Sequence, residues 1–176
     1  MKYLITMIIM FASLSSQIIF DFNPNTDLKD WLVVDDVVMG GRSSGSLELS
    51  PEGHGVFKGN VSLENNGGFS SVRHRFERIS VKGYTKIVLK IKGDGKKYQF
   101  RLKANSRDYY SYISYFSTNG DWQEIQIPLE VMYPTFRGRK LEQPNFSGEY
   151  IEEIAFLIGN KNEEEFQLFI DTVALR

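Results

Sequence analysis

Beyond Phe20 no stretch of the chain keeps apolar residues at helical spacing for three turns, whereas alternation of apolar and polar residues recurs to the C-terminus. A period of two puts every second side chain on one face of an extended strand, so the pattern predicts strands with one packed and one solvated face. Tyr98, Phe100 and Leu102 alternate with Gln99, Arg101 and Lys103. Val72, His74 and Phe76 alternate with Arg73 and Arg75, and Val61 and Leu63 with Ser62 and Glu64. Ile87 to Ile91, Ile154 to Ile158 and Phe166 to Leu175 are denser in apolar residues. That density is expected of inner strands, covered on both sides or set in a sandwich core.

Turn chemistry separates these runs. Asn65-Asn66-Gly67-Gly68, Gly93-Asp94-Gly95 and Asn119-Gly120-Asp121 each predict a reversal of the chain. About eight to ten short strands in roughly 155 residues, joined by Gly/Asn loops, predict an all-β fold, an antiparallel β-sandwich of the jelly-roll type. At 176 residues the chain suits a single domain, expected over residues 20–176. Residues 128–134 and 136–148, marked by Pro and Gly, read as a long excursion with one helical turn, a place where a loop can carry function.

The first residues carry a different pattern. Lys2, an apolar run over residues 3–12 and then Ser13, Ser15 and Ser16 predict a signal peptide or N-terminal hydrophobic segment over 1–16. Export to a periplasmic or extracellular location is therefore expected, or membrane association if the segment stays uncleaved. A mitochondrial presequence is rich in Arg, yet none precedes Arg42, so the mitochondrial matrix is not expected. Association with a membrane is expected only through this segment or through a partner.

Composition excludes several chemistries. With 21 Lys+Arg against 22 Asp+Glu the net charge is -1, too little field to gather nucleic acid. The chain has 0 Cys, so disulfides, thiol nucleophiles and thiolate metal sites are ruled out. Gly40 and Gly45 have the spacing of a phosphate loop, but Ser46-Leu47 stands where Lys-Ser/Thr belongs and a strand pattern follows. The segment from Asp35 to Gly45 instead predicts a tight β-arc, with glycines at positive φ and Asp36 or Ser43 holding loop amides.

His54 and His74 are twenty positions apart and form no zinc-binding pair, and no Gly-x-Ser-x-Gly occurs. Asp35, Asp36, Glu64, Glu124, Glu142 and Glu149 are scattered acids, and the run Glu163-Glu164-Glu165 reads as a solvated hairpin tip. No catalytic, cofactor-binding or metal-binding residue is assigned, and no cofactor is expected. Tyr109, Tyr110, Tyr112, Tyr115, Phe116 and Trp122 form an aromatic-rich strand, turn and strand. Core packing is the first reading of such a cluster, and a platform for stacking sugar rings the second.

One ordered series adds a separate kind of argument. Trp31 is followed by Asp36-x-Val38-Met39-Gly40-Gly41-Arg42-Ser43-Ser44, then by Phe57-x-Gly59-x-Val61-Ser62-Leu63-Glu64-Asn65-Asn66-Gly67-Gly68-Phe69-x-Ser71-Val72-Arg73. Phe100-Arg101-Leu102, Trp122 with Ile127-Pro128, Pro134-Thr135-Phe136-Arg137-Gly138-Arg139, Gly159-Asn160-Lys161 and Phe166-x-Leu168-x-Ile170-Asp171 come after in the same order. The series resembles the complex I intermediate-associated protein 30 family over essentially residues 20–176. The resemblance implies a galactose-binding-like jelly roll and a non-enzymatic, chaperone-like role in assembling the respiratory NADH:ubiquinone oxidoreductase, through binding a protein assembly intermediate. It transfers no catalytic residue.

On that footing the candidate partner surface comprises Asp36, Arg42, Asn66, Phe69, Arg73, Arg137 and Arg139. The charged and polar members are expected to include buried or rim ion-pair partners holding the loops, with Phe69 as a packing anchor. The alternative is an exported carbohydrate-binding module. Which way Tyr109, Tyr110, Tyr112 and Trp122 point discriminates the two.

Overall fold

The computed structural model describes residues 16–176, so nearly all of the expected segment 1–16 lies outside the described residues. The described residues form thirteen strands: β1 (Gln17–Asp21), β2 (Trp31–Asp35), β3 (Ser44–Leu49), β4 (Gly55–Val61), β5 (Ser70–Ser80), β6 (Lys86–Lys92) and β7 (Lys97–Lys103). The series continues with β8 (Ser111–Ser117), β9 (Trp122–Pro128), β10 (Tyr133–Phe136), β11 (Arg139–Lys140), β12 (Tyr150–Ile158) and β13 (Glu164–Leu175). Three short 3-10 turns, Asp36–Met39, Glu64–Asn66 and Leu129–Val131, complete it. Among the described residues no helix is long and apolar enough to cross a membrane.

The strands make two antiparallel sheets. A six-stranded sheet runs β3-β4-β13-β6-β9, with β1 taking over from β4 along the C-terminal half of β13. A seven-stranded sheet runs β11-β10-β8-β7-β12-β5-β2. The apolar-dense segments are indeed inner strands: β6, β12 and β13 each pair on both edges. The core lies between the sheets, where Leu89, Ile91, Leu168 and Ile170 of one meet Tyr98, Phe100, Ile154 and Phe156 of the other, all fully buried. Phe100 and Phe156 pair in register with ring centroids 5.5 Å apart, edge to face. Each such side chain withdrawn from water contributes about 1.5–3 kcal/mol.

Several expectations need correction. The three Gly/Asn segments do not fold the chain back beside itself: β4 to β5, β6 to β7 and β8 to β9 each pass from one sheet to the other. Gly/Asn chemistry marks backbone that needs positive φ, as at Asn65, Asn66, Gly68, Gly95 and Gly120, and does not say which strand the chain joins next. Leu63 does not continue the alternation of β4. It enters the Glu64–Asn66 turn and is exposed. The excursion after Pro128 contains its helical turn, but it also returns as β10 and β11, which widen the seven-stranded sheet.

Both histidines are spoken for. His74 is buried, stacks on Trp31 at 4.8 Å and contacts the Asp30 carbonyl through Nδ1 at 3.1 Å. Burial holds its pKa below the usual imidazole value. His54 lies in the turn that enters β4 of the other sheet, with Nδ1 2.9 Å from the Asp171 carboxylate and its ring against Trp122.

Candidate functional site

Asp36 is the hub from which the site is built. Its fully buried carboxylate accepts hydrogen bonds from the Ser43 amide (2.9 Å) and hydroxyl (2.5 Å), the Gly68 amide (2.6 Å) and the Phe69 amide (3.2 Å). Burial works to raise its pKa, but the Ser43 hydroxyl and the three amides outweigh it and hold the group below the ordinary carboxylate value. One side chain thus ties the Asp36–Met39 turn and the Ser43 segment to the loop that enters β5. The two glycines beside it are steric necessities: a Cβ on Gly41 would sit 2.3 Å from Asp36 Oδ1, and one on Gly67 2.6 Å from Oδ2. Asp35 extends the clamp, accepting from the Gly45 amide at 2.9 Å and the Ser70 hydroxyl at 2.5 Å.

The clamp fixes one rim of a groove on the outer face of the seven-stranded sheet. Met39, Gly67, Gly68 and Phe69 form that rim, and Tyr133, Thr135, Phe136 and Lys140 the opposite one, around about 450 Å³. The far rim is a tight hairpin in which Arg137 and Gly138, both at positive φ, join β10 to β11. Across the floor runs one register row, Tyr133, Ile113, Arg101, Ala155, Arg73 and Leu32, contributed by six neighbouring strands. Ala155 stands between the two arginines, and its small side chain leaves the space above it to them.

The lining is rich in cations: Arg73, Arg101, Lys103, Arg137 and Lys140, with no Asp or Glu. Among the described residues neither Arg73 nor Arg101 has a carboxylate partner or donates a side-chain hydrogen bond. Burial and then the nearby Arg73 push the Arg101 guanidinium down to about 10. Glu153 lies one row along, buried, taking Arg75 Nε at 2.8 Å, with Lys103 Nζ 4.0 Å away. Lys103 Nζ donates to the Asp108 carbonyl at 2.6 Å. Thr135 Oγ1, on the rim, is buried without a hydrogen-bond partner.

A larger depression of about 730 Å³ lies along β3, β4 and β13. It is open, and its Asp94 is already engaged by Lys96 Nζ (3.0 Å), Tyr98 Oη (2.9 Å) and the Gln167 amide (2.9 Å). The groove is the better candidate because its two floor arginines, Arg73 and Arg101, are not paired from within the described residues.

The groove collects Phe69, Arg73 and Arg137 among the residues singled out from the sequence, and Asp36 lies beneath its rim. Asp36 is held by neutral donors, where an ion pair was expected. Arg42 pairs with Glu64 at 2.8 Å on the surface between the same two loops. Asn66 is exposed at φ 60, and Arg139 is exposed on β11, outside the groove. Sequence reasoning missed Arg101, Lys103, Tyr133 and Lys140. The signal was present in the solvated parity of β7 and β5, but only the sheet order shows that both strands flank β12 and face the same way.

The aromatic cluster divides. Phe116 is buried and Tyr112 packs against the core, while Tyr109 (61% exposed) and Tyr115 (42%) line the groove. Trp122 is exposed on the other sheet. Core packing therefore does not account for Tyr109 and Tyr115. Tyr115 lies under Lys97 Nζ at 4.3 Å and accepts from Gln99 Nε2 at 3.1 Å, and Tyr109 meets Phe136 edge-on at 5.1 Å. The six scattered acids are dispersed and none lines the groove. Among the described residues no group of three or more His, Asp or Glu could hold a metal ion.

Comparison with known proteins agrees with this architecture. The sequence model of the complex I intermediate-associated protein 30 family matches residues 20–170. The mitochondrial complex I intermediate-associated protein 30 of Drosophila melanogaster is 29% identical over 75% of this chain and 52% of its own. That of Mus musculus is 24% identical over 91% of this chain and 56% of its own. The chain thus spans about half the length of the curated relatives it matches.

Among solved structures, the family 11 carbohydrate-binding module of a Clostridium thermocellum cellulase superposes with a TM-score of 0.67 at 15% identity, covering 93% of this chain and 95% of its own. The same kind of module in complex with a β-1,3-1,4-mixed-linked tetrasaccharide gives 0.66 at 15% identity, covering 93% and 96%. At such identity the likeness shows the fold, a jelly-roll sandwich. Both family relatives are named as mitochondrial, which overturns the expectation of export. That expectation rested on the apolar run over residues 3–12, which lies outside the described residues, and apolarity does not by itself specify the compartment.

Proposed function

Because the chain belongs to the complex I intermediate-associated protein 30 family, we propose that it is a non-enzymatic binding domain that holds an assembly intermediate of respiratory complex I against the outer face of its seven-stranded sheet. The observation that carries this reading is the preformed groove, whose near rim is fixed by the Asp36 clamp and whose two floor arginines, Arg73 and Arg101, have no carboxylate partner among the described residues. A rigid, unsatisfied surface binds without first ordering itself, which lowers the cost of association. A photo-crosslinking residue in place of Tyr115 tests it, with one in place of Gln126 on the six-stranded face as the control. Complex I subunits should be captured in the mitochondria of the host from position 115 and not from 126. Capture from 126 alone, or no complex I subunit from either, overturns the reading.

A second reading rests on Tyr109 and Tyr115, exposed aromatic rings in a groove of ligand-binding size. Carbohydrate rings stack on such side chains. A groove whose charged members are all donors is nevertheless poorly matched to a neutral sugar, whose hydroxyls need acceptors as well. Calorimetry with a β-1,3-1,4-glucan tetrasaccharide should show no binding if the protein-binding reading holds. Binding that is lost on Tyr115→Ala would move the function to carbohydrate.

A further inference from the structure

Strand β5 carries three arginines whose surroundings differ. Arg75 Nε meets Glu153 at 2.8 Å and Arg78 Nη2 meets Glu152 at 2.8 Å, both carboxylates supplied by the neighbouring β12. Opposite Arg73 the same β12 supplies Ala155, and on its other edge Ala155 faces Arg101. The two guanidiniums thus share one gap in a row of otherwise compensated charges. Each is partly withdrawn from water, and the two repel each other, a repulsion that Glu153 one row along offsets only in part, so an anion arriving between them relieves it. A planar guanidinium offers a fork of donors that matches a carboxylate, and two forks flanking a small residue leave space for one between them.

We propose that Arg73 and Arg101 form a receptor for a carboxylate side chain, and that its occupant is an acidic segment of the partner polypeptide. This rests on the protein-binding reading above and adds its chemistry. The surroundings favour a peptide over an acidic sugar. Aliphatic side chains border the cations: Ile113 and Leu157 on the floor, Met39 on the rim. Val38, 75% exposed on the turn beside Met39, and Leu32, 58% exposed at the end of the Arg73 row, extend that apolar surface beyond the groove. A chain that alternates acidic and aliphatic residues satisfies both parts, whereas a polyanionic sugar leaves the aliphatic flank unused. Lys103, Arg137 and Lys140 add a field of the same sign around the receptor.

The test uses the full chain and an array of overlapping peptides tiled across the host's complex I subunits, each acidic peptide printed again with Glu and Asp replaced by Gln and Asn. Bound peptides should be acidic, the amide versions should lose binding, and affinities should fall with added salt. For the tightest peptide, measured in solution, Arg101→Gln should weaken binding at least roughly thirtyfold, as when one partner of a desolvated charge pair is removed. Arg73→Gln should do likewise and Arg101→Lys less, provided thermal melts show each variant folded.

Peptides that bind equally well as amides, or that ignore both Gln substitutions, overturn the receptor while leaving the protein-binding reading standing. Tetragalacturonate bound through Arg101 in place of any peptide overturns both. Neither probe binding overturns the receptor, and the crosslinking experiment then decides the broader reading separately.

Discussion

The outer faces of the two sheets carry similar residues and treat them differently. On the six-stranded face three cations are answered by carboxylates within the protein: Lys90 by Asp171 at 2.9 Å, Arg176 by Glu124 at 3.1 Å, and Lys58 by Glu48. On the seven-stranded face that pattern holds along β5 at Arg75 and Arg78, then stops at Arg73 and Arg101, where the groove begins. Internally paired charges make a soluble skin with little left to offer a ligand. Unpaired, half-buried ones make a surface whose free energy falls when something covers it. The difference lies in what stands opposite each cation, more than in how many cations there are.

The strongest way to break the comparison is to remove the clamp that shapes the groove's rim. Asp36→Ala leaves the Ser43, Gly68 and Phe69 amides without their acceptor in a buried setting. We expect a loss of about 3 kcal/mol, seen as a melting temperature roughly 6–12 °C lower for a chain of this size. Asp36→Asn, which keeps one acceptor oxygen, should lose less. The clamp also has a pH signature. Its folded pKa is held below the unfolded value of 3.8, so its contribution is present above that value and lost as pH falls through the folded pKa. Acid titration of stability should therefore flatten in Asp36→Asn.

Next in size is a change that would make the seven-stranded face resemble the other. Ala155→Glu supplies from within the carboxylate that Arg73 and Arg101 lack. Binding of acidic peptides should fall at least roughly tenfold, because the receptor is then occupied by its own chain. Stability should change by no more than about 1 kcal/mol in either direction, measured by chemical denaturation. A large destabilisation with binding intact would show that Ala155 is needed for packing, and that the gap in compensation has no role.

This contrast also marks what could be read from the chain before its structure. Period-two alternation identified the two-faced strands and the dense inner ones, because a strand's parity is a local property. The Asp35–Gly45 arc was legible in its local part, the Gly40 turn and the Asp36 bond to the Ser43 amide, but not in the reach of Asp36 to the Gly68 and Phe69 amides, more than thirty positions away. The groove was not legible. Arg73 and Arg101 are twenty-eight positions apart and become neighbours only because β12, the twelfth strand, inserts between β5 and β7. No local rule fixes that insertion. Glycine signals were misleading for the same reason, as they report backbone conformation and carry no information on which sheet the next strand joins. Arg139 is expected from the sequence to share a partner surface with Arg137, but alternation at the hairpin tip leaves it outside the groove that Arg137 and Lys140 line.

A smaller effect separates packing from charge at the other end of the Arg73 neighbourhood. His74 follows Arg73 on β5 but points into the sandwich against Trp31. Burial holds its folded pKa below the ordinary imidazole value of 6.5, so the unfolded chain binds the extra proton first. Stability should decline as pH falls below about 6.5, until the folded pKa is passed. His74→Phe retains an aromatic ring and removes the proton. Its stability should lack that slope, whereas an unchanged slope would place the titration elsewhere.

The smallest expected effect belongs to the surface pair Arg42–Glu64, which spans the same two loops as Asp36. Both side chains are more than half exposed, at 65% and 56%. Their attraction is therefore screened, and holding two long side chains together offsets part of it, so Arg42→Ala should cost no more than about 0.5 kcal/mol. Denaturant midpoints of Arg42→Ala, Glu64→Ala and the double variant measure the coupling directly. A coupling near that of the Asp36 clamp would mean that the loops are tied together by charge at the surface. The small value expected here leaves the work to one buried carboxylate and the amides around it.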